Sequence, residues 1–327
     1  MTNLRGLVGI TTLAIGVVVF CAASRSEAQK KYLIGSLNTT EQFINSFEGF
    51  RSRMAELGYH EGINSRFEYY SSRGNDQLLK NLAQKLVQDQ LDLIVTSSTT
   101  ATVAAAKATE GSHTPVLFLS AGNPQKLVKS FSSSGSNLTG ISSGSLELMG
   151  KRMELLRELA PRARKVVMPI DPGGVNYQAN TQEVKEAATR FGFTVVELTA
   201  TTPEDLVKRA NEISRKSFDA IFIPADSLIS NGIAALARVA VAERLPLVAS
   251  LLALVKLGAL GSYAADYAAL GRQGALLADK LLRGARPSEL PIELPRKYML
   301  ALNLAAARAI DLKIGKDLLL LADQVFE

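Results

Sequence analysis

Hydroxyl, amide and carboxylate side chains follow several short apolar runs of this sequence, and these side chains could bind a small molecule. The clearest case is the apolar run 93–95, which is too short for a helix and leads directly into the five hydroxyl residues 96–100. An alanine-rich helical pattern follows, so Ser97, Ser98 or Thr99 is expected to cap a helix at the carboxyl end of a buried parallel strand. Free backbone N–H groups and the positive end of the helix converge on a ligand at such a position. The alternative is that these hydroxyls only cap the helix.

Similar polar groups follow the other predicted strands. They can orient a small molecule without reacting with it, and a buried polar ligand needs each of its charges paired. The helix terminus at Ser97–Thr99 would accept a carboxylate, and Asp226 would pair with an amine. For each residue alone, a purely structural role fits the pattern equally well. The candidate ligand-binding residues are Asn38, Thr39, Ser97, Ser98, Thr99, Asn123, Asn176, Tyr177, Asp226, Ser250, Tyr263 and Asp266.

Catalytic and metal-binding patterns are largely missing from the sequence. The histidines are His60 and His113 and the single cysteine is Cys21, so a zinc site or a cysteine nucleophile has no support. Residues 140–144 spell Gly-x-Ser-x-Gly, the nucleophile elbow of α/β-hydrolases. That elbow needs a buried strand that runs into the serine, whereas the Gly/Ser-rich passage 130–140 is predicted to be a loop. Both histidines also precede the serine, although the hydrolase histidine follows it.

The sequence contains no phosphate-binding loop and no dinucleotide-binding glycine motif, so no cofactor is expected. The carboxylates of Asp171, Asp226 and Asp266 lie near strand ends and could serve as an acid or a base, which leaves an exported enzyme as one alternative. The net charge of +6 is spread over predicted helix surfaces, which argues against a nucleic-acid partner.

The first 28 residues have the pattern of a secretory signal peptide. Arg5 makes the start positive, residues 7–23 are uncharged and mostly apolar, and small residues end at Ala28. We therefore predict cleavage after Ala28 and a periplasmic protein. An uncleaved membrane anchor and a lipid anchor on Cys21 are the alternatives, although the bulky Phe20 stands where a lipoprotein signal needs a small residue.

The length of 327 residues favours two domains, and the strand and helix patterns repeat twice. Helical stripes of apolar residues separate the strands, so both sheets should be mostly parallel and built from βαβ crossovers. Two such units in succession place a cleft between two lobes. The predicted strands lie at 32–37, 65–70, 93–95 and 115–119 in the first unit, and at 165–169, 194–198, 220–224, 245–250 and 259–263 in the second.

Several short segments, in order and at matching distances, resemble the substrate-binding proteins of ABC transporters, a family whose characterised members include a tryptophan-binding protein. The resemblance covers almost all of the chain after the signal peptide. It implies an α/β type I periplasmic binding fold, with two Rossmann-like lobes that are joined by a three-segment hinge and close on a ligand. The segments that carry it are Gly58–Asn64, Asp92–Thr96, Pro115–Phe118, Asn137–Gly140, Pro224–Ser227, Gly261–Gly271 and Leu318–Val325.

The resulting prediction is an extracytoplasmic receptor for a small polar, possibly amino-acid-like solute, with an ABC permease and its ATPase as partners. The alternative is a module that senses a ligand and reports to a membrane receptor. Two departures from the family pattern, Asn123-Pro124 in place of Asp-Pro and the glycines in 171–176, argue against transferring tryptophan as the ligand. The predicted division is a signal peptide at 1–28, lobe 1 at 29–141 plus 262–286, and lobe 2 at 142–261 plus 287–327.

Overall fold

A computed structural model of the protein describes residues 30–327. The predicted signal peptide, with the cleavage site at Ala28 and Cys21, lies outside the described residues. Among the helices of residues 30–327, none has the length and apolar character needed to span a bilayer.

The first lobe is built on a parallel sheet of five strands within the described residues, in the order β2-β1-β3-β4-β5. Strands β3 and β4 are buried along their whole length, which explains their continuous apolar sequences. Helix α2 begins where the Asn75 side chain accepts the N–H of Leu78. The elements are β1 (Tyr32–Asn38), α1 (Ile44–Glu56), β2 (Ser65–Ser71), α2 (Asp76–Gln88), β3 (Leu93–Ser97), α3 (Thr99–Ala108), β4 (Val116–Ala121) and β5 (Leu138–Ser142).

Strand β5 corrects the predicted loop over residues 130–140. Its five residues are buried and pair in parallel with β4. The glycine that suggested a loop is required by packing, because a Cβ on Gly140 would lie 2.0 Å from the carbonyl oxygen of Phe118. The Gly/Ser composition therefore reflects a close approach of two strands as well as a turn.

The second lobe contains a sheet with the order β12-β11-β10-β9-β8-β6-β7 in the described part of the chain. Its neighbouring strands run parallel, except that β10 and β11 pair antiparallel. The elements of this lobe are α4 (Met149–Leu159), β6 (Lys165–Ile170), α5 (Tyr177–Arg190), β7 (Thr194–Thr199), α6 (Pro203–Ala210), β8 (Ala220–Ile223), α7 (Ser227–Asn231), α8 (Ile233–Ala242), β9 (Leu247–Ala249), α9 (Leu252–Lys256), β10 (Gly261–Ala265), β11 (Tyr298–Asn303), α11 (Leu304–Ala309), α12 (Lys316–Leu321) and β12 (Gln324–Phe326).

Helix α10 (Tyr267–Leu282) follows β10 but returns to the first lobe, where it packs against α1, β4 and β5. The two helices approach so closely that only glycine fits at their contact. A Cβ on Gly271 would lie 1.8 Å from the carbonyl oxygen of Ser46, and one on Gly49 would lie 2.2 Å from that of Ala268. This contact fixes α10 to the first lobe.

The chain passes between the lobes three times: between β5 and α4, between β10 and α10, and before β11. The predicted boundaries between the lobes differ from the observed strand pairing at two places. Residues 262–265 belong to the second sheet rather than to lobe 1. The prediction also returns the chain to lobe 2 at residue 287. However, Glu293 forms a β-bridge with Ile141 of β5, which belongs to the first lobe. Short polar junctions give little sequence signal for the exact point at which a chain changes lobes.

Candidate ligand-binding site between the lobes

Residues that follow the carboxyl ends of parallel strands in both sheets line a common cleft, as parallel α/β units favour. One part of this cleft, which we call the inner cavity, has a volume of about 40 Å³. That is room for only a few water-sized groups. Ser98, Thr99 and Ser120 contribute from the first lobe, and Asp226 and Ser230 contribute from the second.

A larger space, the outer cavity, adjoins the inner cavity and has a volume of about 280 Å³. Thr100, Asn176 and Asp226 line both cavities. Asp76 of the first lobe and Asp171 of the second line the outer cavity alone. The two spaces are therefore neighbouring parts of one interlobe site.

The first-lobe wall is formed by the start of α3. Ser98 caps this helix, its Oγ accepting the N–H of Ala101 at 3.2 Å. Its φ of +85° lies in a region that non-glycine residues rarely adopt, which costs about 1–3 kcal/mol. The hydroxyl of Thr99 accepts the N–H groups of Gly122 and Asn123 at 3.0 and 3.1 Å, which joins α3 to the end of β4. This strained, cross-linked turn holds the positive end of α3 against the cleft.

The second-lobe wall centres on the carboxylate of Asp226, which follows β8 directly. It accepts the N–H of Ile229 at 3.1 Å and the N–H of Asp171 at 3.0 Å. Burial raises the pKa of Asp226 to about 6, despite these hydrogen bonds, and the nearby charge of Asp171 contributes to the rise. Burial also raises the pKa of Asp171, and the charge of Asp76 adds to that shift. Acidic groups from both lobes therefore repel one another in the outer cavity.

Three polar oxygens that belong to cavity-lining residues have no hydrogen-bond partner among residues 30–327. They are the hydroxyl oxygens of Ser120 and Ser230 and the amide oxygen Oδ1 of Asn176. The two serines are 3% and 1% exposed, so their hydroxyls are withdrawn from bulk solvent. Buried polar groups of this kind are normally paired, so each one is an available contact for a polar guest molecule.

The two lobes also touch each other directly around the cleft. The Ser227 hydroxyl donates to Thr39 Oγ1 at 3.1 Å, and the Gln42 amide donates to the carbonyl of Ser230 at 2.9 Å. On another part of the rim, the Lys126 ammonium donates to the carbonyl of Val175 at 2.7 Å. These contacts describe a closed arrangement of the lobes.

Five of the residues predicted from sequence line the cavities, and they come from both lobes. Their role in binding a ligand remains a prediction. These five are Thr39, Ser98, Thr99, Asn176 and Asp226.

Three predicted first-lobe residues instead have structural contacts and line neither cavity. The amide of Asn38 donates to Ser36 Oγ and to the carbonyl of Tyr70. Ser97 is buried within β3, and the backbone of Asn123 donates to Thr99. Asn123 therefore helps to hold Thr99 in place instead of lining the cavities.

Four predicted residues of the second lobe and its crossing also lie outside both cavities. The Tyr177 hydroxyl donates to Glu197, and the ring of Tyr263 stacks on another tyrosine. Ser250 contributes its carbonyl to an arginine described below. The carboxylate of Asp266 caps α10 by accepting two backbone N–H groups. A strand-end position is thus insufficient to place a side chain in the cleft.

Sequence reasoning missed several cavity-lining residues. Ser120 ends the apolar run of β4 and Ser227 directly follows Asp226, so the same strand-end rule could have found both. Ser143 and Ser145 lie in the first crossing, which was not recognised as part of the wall. The missed residues include Thr40, Thr100, Ser120, Ser143, Ser145, Ser227, Ser230, Leu251 and Tyr267.

Arg152 is a buried arginine that carried no recognisable signal, since it lies in a helix rich in charged residues. It is 1% exposed, and its guanidinium donates to the carbonyls of Ser145, Ser250 and Tyr263 at 2.7, 3.0 and 2.9 Å. Burial lowers its pKa to about 10, so it stays charged at neutral pH. It connects the first crossing, where Ser145 lines the inner cavity, to the residue after β9 and to the middle of β10.

The serine of the Gly-x-Ser-x-Gly pattern, Ser142, ends the buried strand β5, contrary to the expectation of a loop. The hydroxyl of Ser142 is buried and accepts the N–H of Gly144 at 3.1 Å, which supports the turn into the crossing. Histidine is not among the residues that line either cavity in the described chain. Residues 30–327 also contain no group of three or more acidic, histidine or cysteine side chains arranged to hold a metal ion.

Comparison with known proteins identifies the family. A model of the ABC transporter substrate binding proteins matches residues 40–326. The chain belongs to this family. It is 26% identical over 290 residues to a tyrosine-binding protein of Clostridioides difficile (strain R20291), covering 88% of this chain and 83% of that relative.

Solved structures of similar proteins confirm the α/β type I periplasmic binding fold. An ABC domain from Streptococcus pneumonia in complex with L-Trp has a TM-score of 0.84 at 24% identity, covering 91% of this chain and all of that one. A leucine binding protein from Thermotoga maritima has a TM-score of 0.60 at 14% identity, covering 77% and 83%. The ligand-free, open structure of a substrate binding protein with adhesive properties from Clostridium difficile has a TM-score of 0.65 at 25% identity, covering 90% and 99%.

Members of this family bind small molecules for ABC transporters outside the cytoplasm. The predictions of family and fold class are therefore confirmed. The family is one of binding proteins rather than enzymes, which agrees with a cleft made of hydroxyl, amide and carboxylate groups.

Proposed function

We propose that the protein is the periplasmic receptor of an ABC importer and that it binds a small, polar, amino-acid-like solute between its lobes. The observation that carries the proposal is the set of unpartnered polar oxygens on residues that line the inner cavity, contributed by Ser120 of one lobe and Ser230 and Asn176 of the other. A solute with matching polar groups would satisfy both lobes simultaneously.

The two walls suit the two charged ends of an amino acid. The first N–H groups of α3 have no partner within the helix, so this terminus would accept the solute carboxylate near Ser98 and Thr99. The carboxylate of Asp226 would pair with the solute amine. This assignment needs no covalent step and no cofactor.

The proposed mechanism is hinge closure. A solute that contacts both lobes gains its full set of contacts only when the lobes are together, so it shifts the equilibrium towards the closed form. The interlobe hydrogen bonds of Thr39 and Gln42 support such a closed form. The permease and its ATPase would then distinguish the closed receptor from the open one.

Thermal unfolding in the presence of amino acids and small carboxylates tests the proposal. A bound solute at 100 times its Kd should stabilise the fold by about 2.7 kcal/mol, which is a rise of roughly 4 °C in Tm for a chain of this length. Each solute that stabilises the protein should be recovered chemically unchanged. Turnover of such a solute would contradict a receptor role, and the absence of stabilisation by every member of the panel would contradict an amino-acid-like ligand.

A further inference from the structure

We infer that the solute carries a second positively charged group in the outer cavity, so that the ligand class is the basic amino acids and closely related amino-acid-like cations. This inference rests on the proposed function, since it concerns the ligand of the same cleft. It separates this chain from relatives whose named ligands are tyrosine and L-Trp.

The outer cavity is lined by acidic side chains and by no basic ones. Its lining includes the carboxylates of Asp76, Asp171 and Asp226, and no Lys, Arg or His among residues 30–327. The lining therefore has a charge opposite to that of the whole protein, which is +6. The Lys126 ammonium reaches the rim, but it donates to the carbonyl of Val175 rather than to a carboxylate.

The arrangement of these carboxylates makes a cation favourable. Burial is the main cause that raises the pKa of Asp171 and of Asp226, and the charges of Asp76 and Asp171, respectively, add to these rises, so these neighbouring carboxylates also repel one another. A neutral aromatic or aliphatic side chain would displace water from these groups without pairing them, which is unfavourable. A guanidinium or ammonium group would instead neutralise part of the repulsion and donate hydrogen bonds.

The sizes of the two cavities indicate where each part of the solute would lie. The inner cavity, at about 40 Å³, holds only a few water-sized groups, such as the carboxylate and amine of an amino acid. The side chain must then pass Asp226 into the outer cavity of about 280 Å³. A head group on the inner cavity therefore directs the tail of the solute towards Asp171 and Asp76.

An unpartnered group on the same site provides a further reason to expect a ligand with hydrogen-bond donors. Ser120 and Ser230 are almost completely buried and their hydroxyls have no partner in the described chain, but these residues line only the inner cavity and can accept or donate. The Asn176 oxygen Oδ1 is also unpartnered and belongs to a residue that lines both cavities. An amide oxygen can only accept hydrogen bonds, so its natural complement is an N–H group of the solute.

Isothermal titration with L-arginine and L-citrulline tests the inference, because the two solutes have nearly the same shape but differ by one positive charge. L-Lysine and L-norleucine form a second pair. We expect each cation to bind at least about 30-fold more tightly than its neutral counterpart. Asp171→Asn and Asp76→Asn should each reduce that ratio several-fold, whereas Glu110→Gln, an exposed carboxylate beyond the opposite end of α3, should leave it unchanged.

The outcomes separate the two proposals. If L-citrulline, L-norleucine or L-tyrosine binds as tightly as L-arginine and L-lysine, the charge inference is overturned while the receptor function stands. If the cations bind more tightly but the ratio survives both Asp substitutions, the outer cavity is not where the charge is recognised, and the inference is again overturned. If none of these amino acids binds, the charge inference is overturned, and the thermal-unfolding panel of amino acids and small carboxylates then decides the receptor function separately.

Discussion

The two lobes differ in electrical character at the inner cavity. The first lobe offers neutral hydroxyls on the positive end of α3, at Ser98, Thr99 and Thr100. The second lobe offers the carboxylate of Asp226. The inner cavity is therefore positive on one side and negative on the other, so a zwitterion would bind in one orientation. Neither lobe alone provides that selectivity.

The lobes also differ in how their segments are held together. In the first lobe, local backbone geometry and the hydroxyl of Thr99 fix the turn before α3. In the second, one side chain of α4, Arg152, connects three carbonyls from separate segments. The second lobe should therefore be more sensitive to a single substitution.

The largest effect is expected for Arg152→Met, which leaves three buried carbonyls without their charged donor. We expect it to lower the free energy of unfolding by about 3 kcal/mol or more, measured by urea denaturation. Arg209→Met, the same change at a half-exposed arginine with only surface ion pairs, should cost less than about 1 kcal/mol. Equal effects of the two substitutions would show that Arg152 does not stabilise the three segments that it connects.

Asp226→Asn tests the charge of the second-lobe wall while keeping an oxygen that can cap α7. We expect the affinity for a stabilising amino acid to fall by about 30–100-fold, because the solute amine loses its charged partner. Asp311→Asn, at an exposed carboxylate of the same lobe, is the matched control and should bind normally. If the Asp226→Asn variant binds the solute with normal affinity, the solute amine does not pair with Asp226.

The raised pKa of Asp226, about 6, predicts two opposite effects of pH. The folded, ligand-free protein holds this proton more tightly than the unfolded chain, whose carboxyl has a pKa of 3.8. Stability from this group is therefore complete below about pH 4 and is lost as pH rises through 6, by no more than about 2–3 kcal/mol. Ligand affinity should instead fall below pH 6, by up to about tenfold per pH unit, because an amine needs the ionised carboxylate.

Unfolding and titration experiments between pH 4.5 and 8 can follow both trends. The Asp226→Asn variant should lack the ligand-affinity trend and the matching part of the stability trend. If wild type and variant show the same pH dependence of affinity, another group controls binding.

The smallest effects are expected for Ser120→Ala and Ser230→Ala, one in each lobe. Removal of an unpartnered hydroxyl should leave the ligand-free Tm unchanged or slightly higher, yet weaken binding by about 5–10-fold, which is near 1 kcal/mol. Ser46→Ala removes an equally buried and unpartnered hydroxyl that does not line the cleft, so it should change neither affinity nor Tm appreciably. Unequal effects of the two cleft serines would show which lobe recognises the solute more strongly.

Much of the fold was predictable because helix and strand periodicity is a local property. The runs that became β3, β4, β6 and β8 were recognised from their short apolar sequences. Strand β5 was missed because the glycine at 140 is demanded by its contact with Phe118, which is distant in sequence. Short-range patterns carry no information about such contacts.

The candidate site was predictable only in part for the same reason. Thr39, Ser98 and Asp226 were found because the carboxyl ends of parallel strands meet at one edge. Asp266 satisfied the same rule but caps α10, and Tyr177 points to Glu197 instead of the cavities. Which strand-end side chain reaches the cleft depends on how the lobes face each other.

The distance between the lobes, with and without solute, tests the central claim most directly. Spin labels at Lys80→Cys on α2 and Lys208→Cys on α6, both exposed, would report it in a Cys21→Ser background that has no other cysteine. With saturating L-arginine or another amino acid that binds by calorimetry, we expect one narrow distance distribution at the value of the closed structure, and a broader or longer one without solute. A solute that binds but leaves the distribution unchanged would contradict closure around a ligand between the lobes.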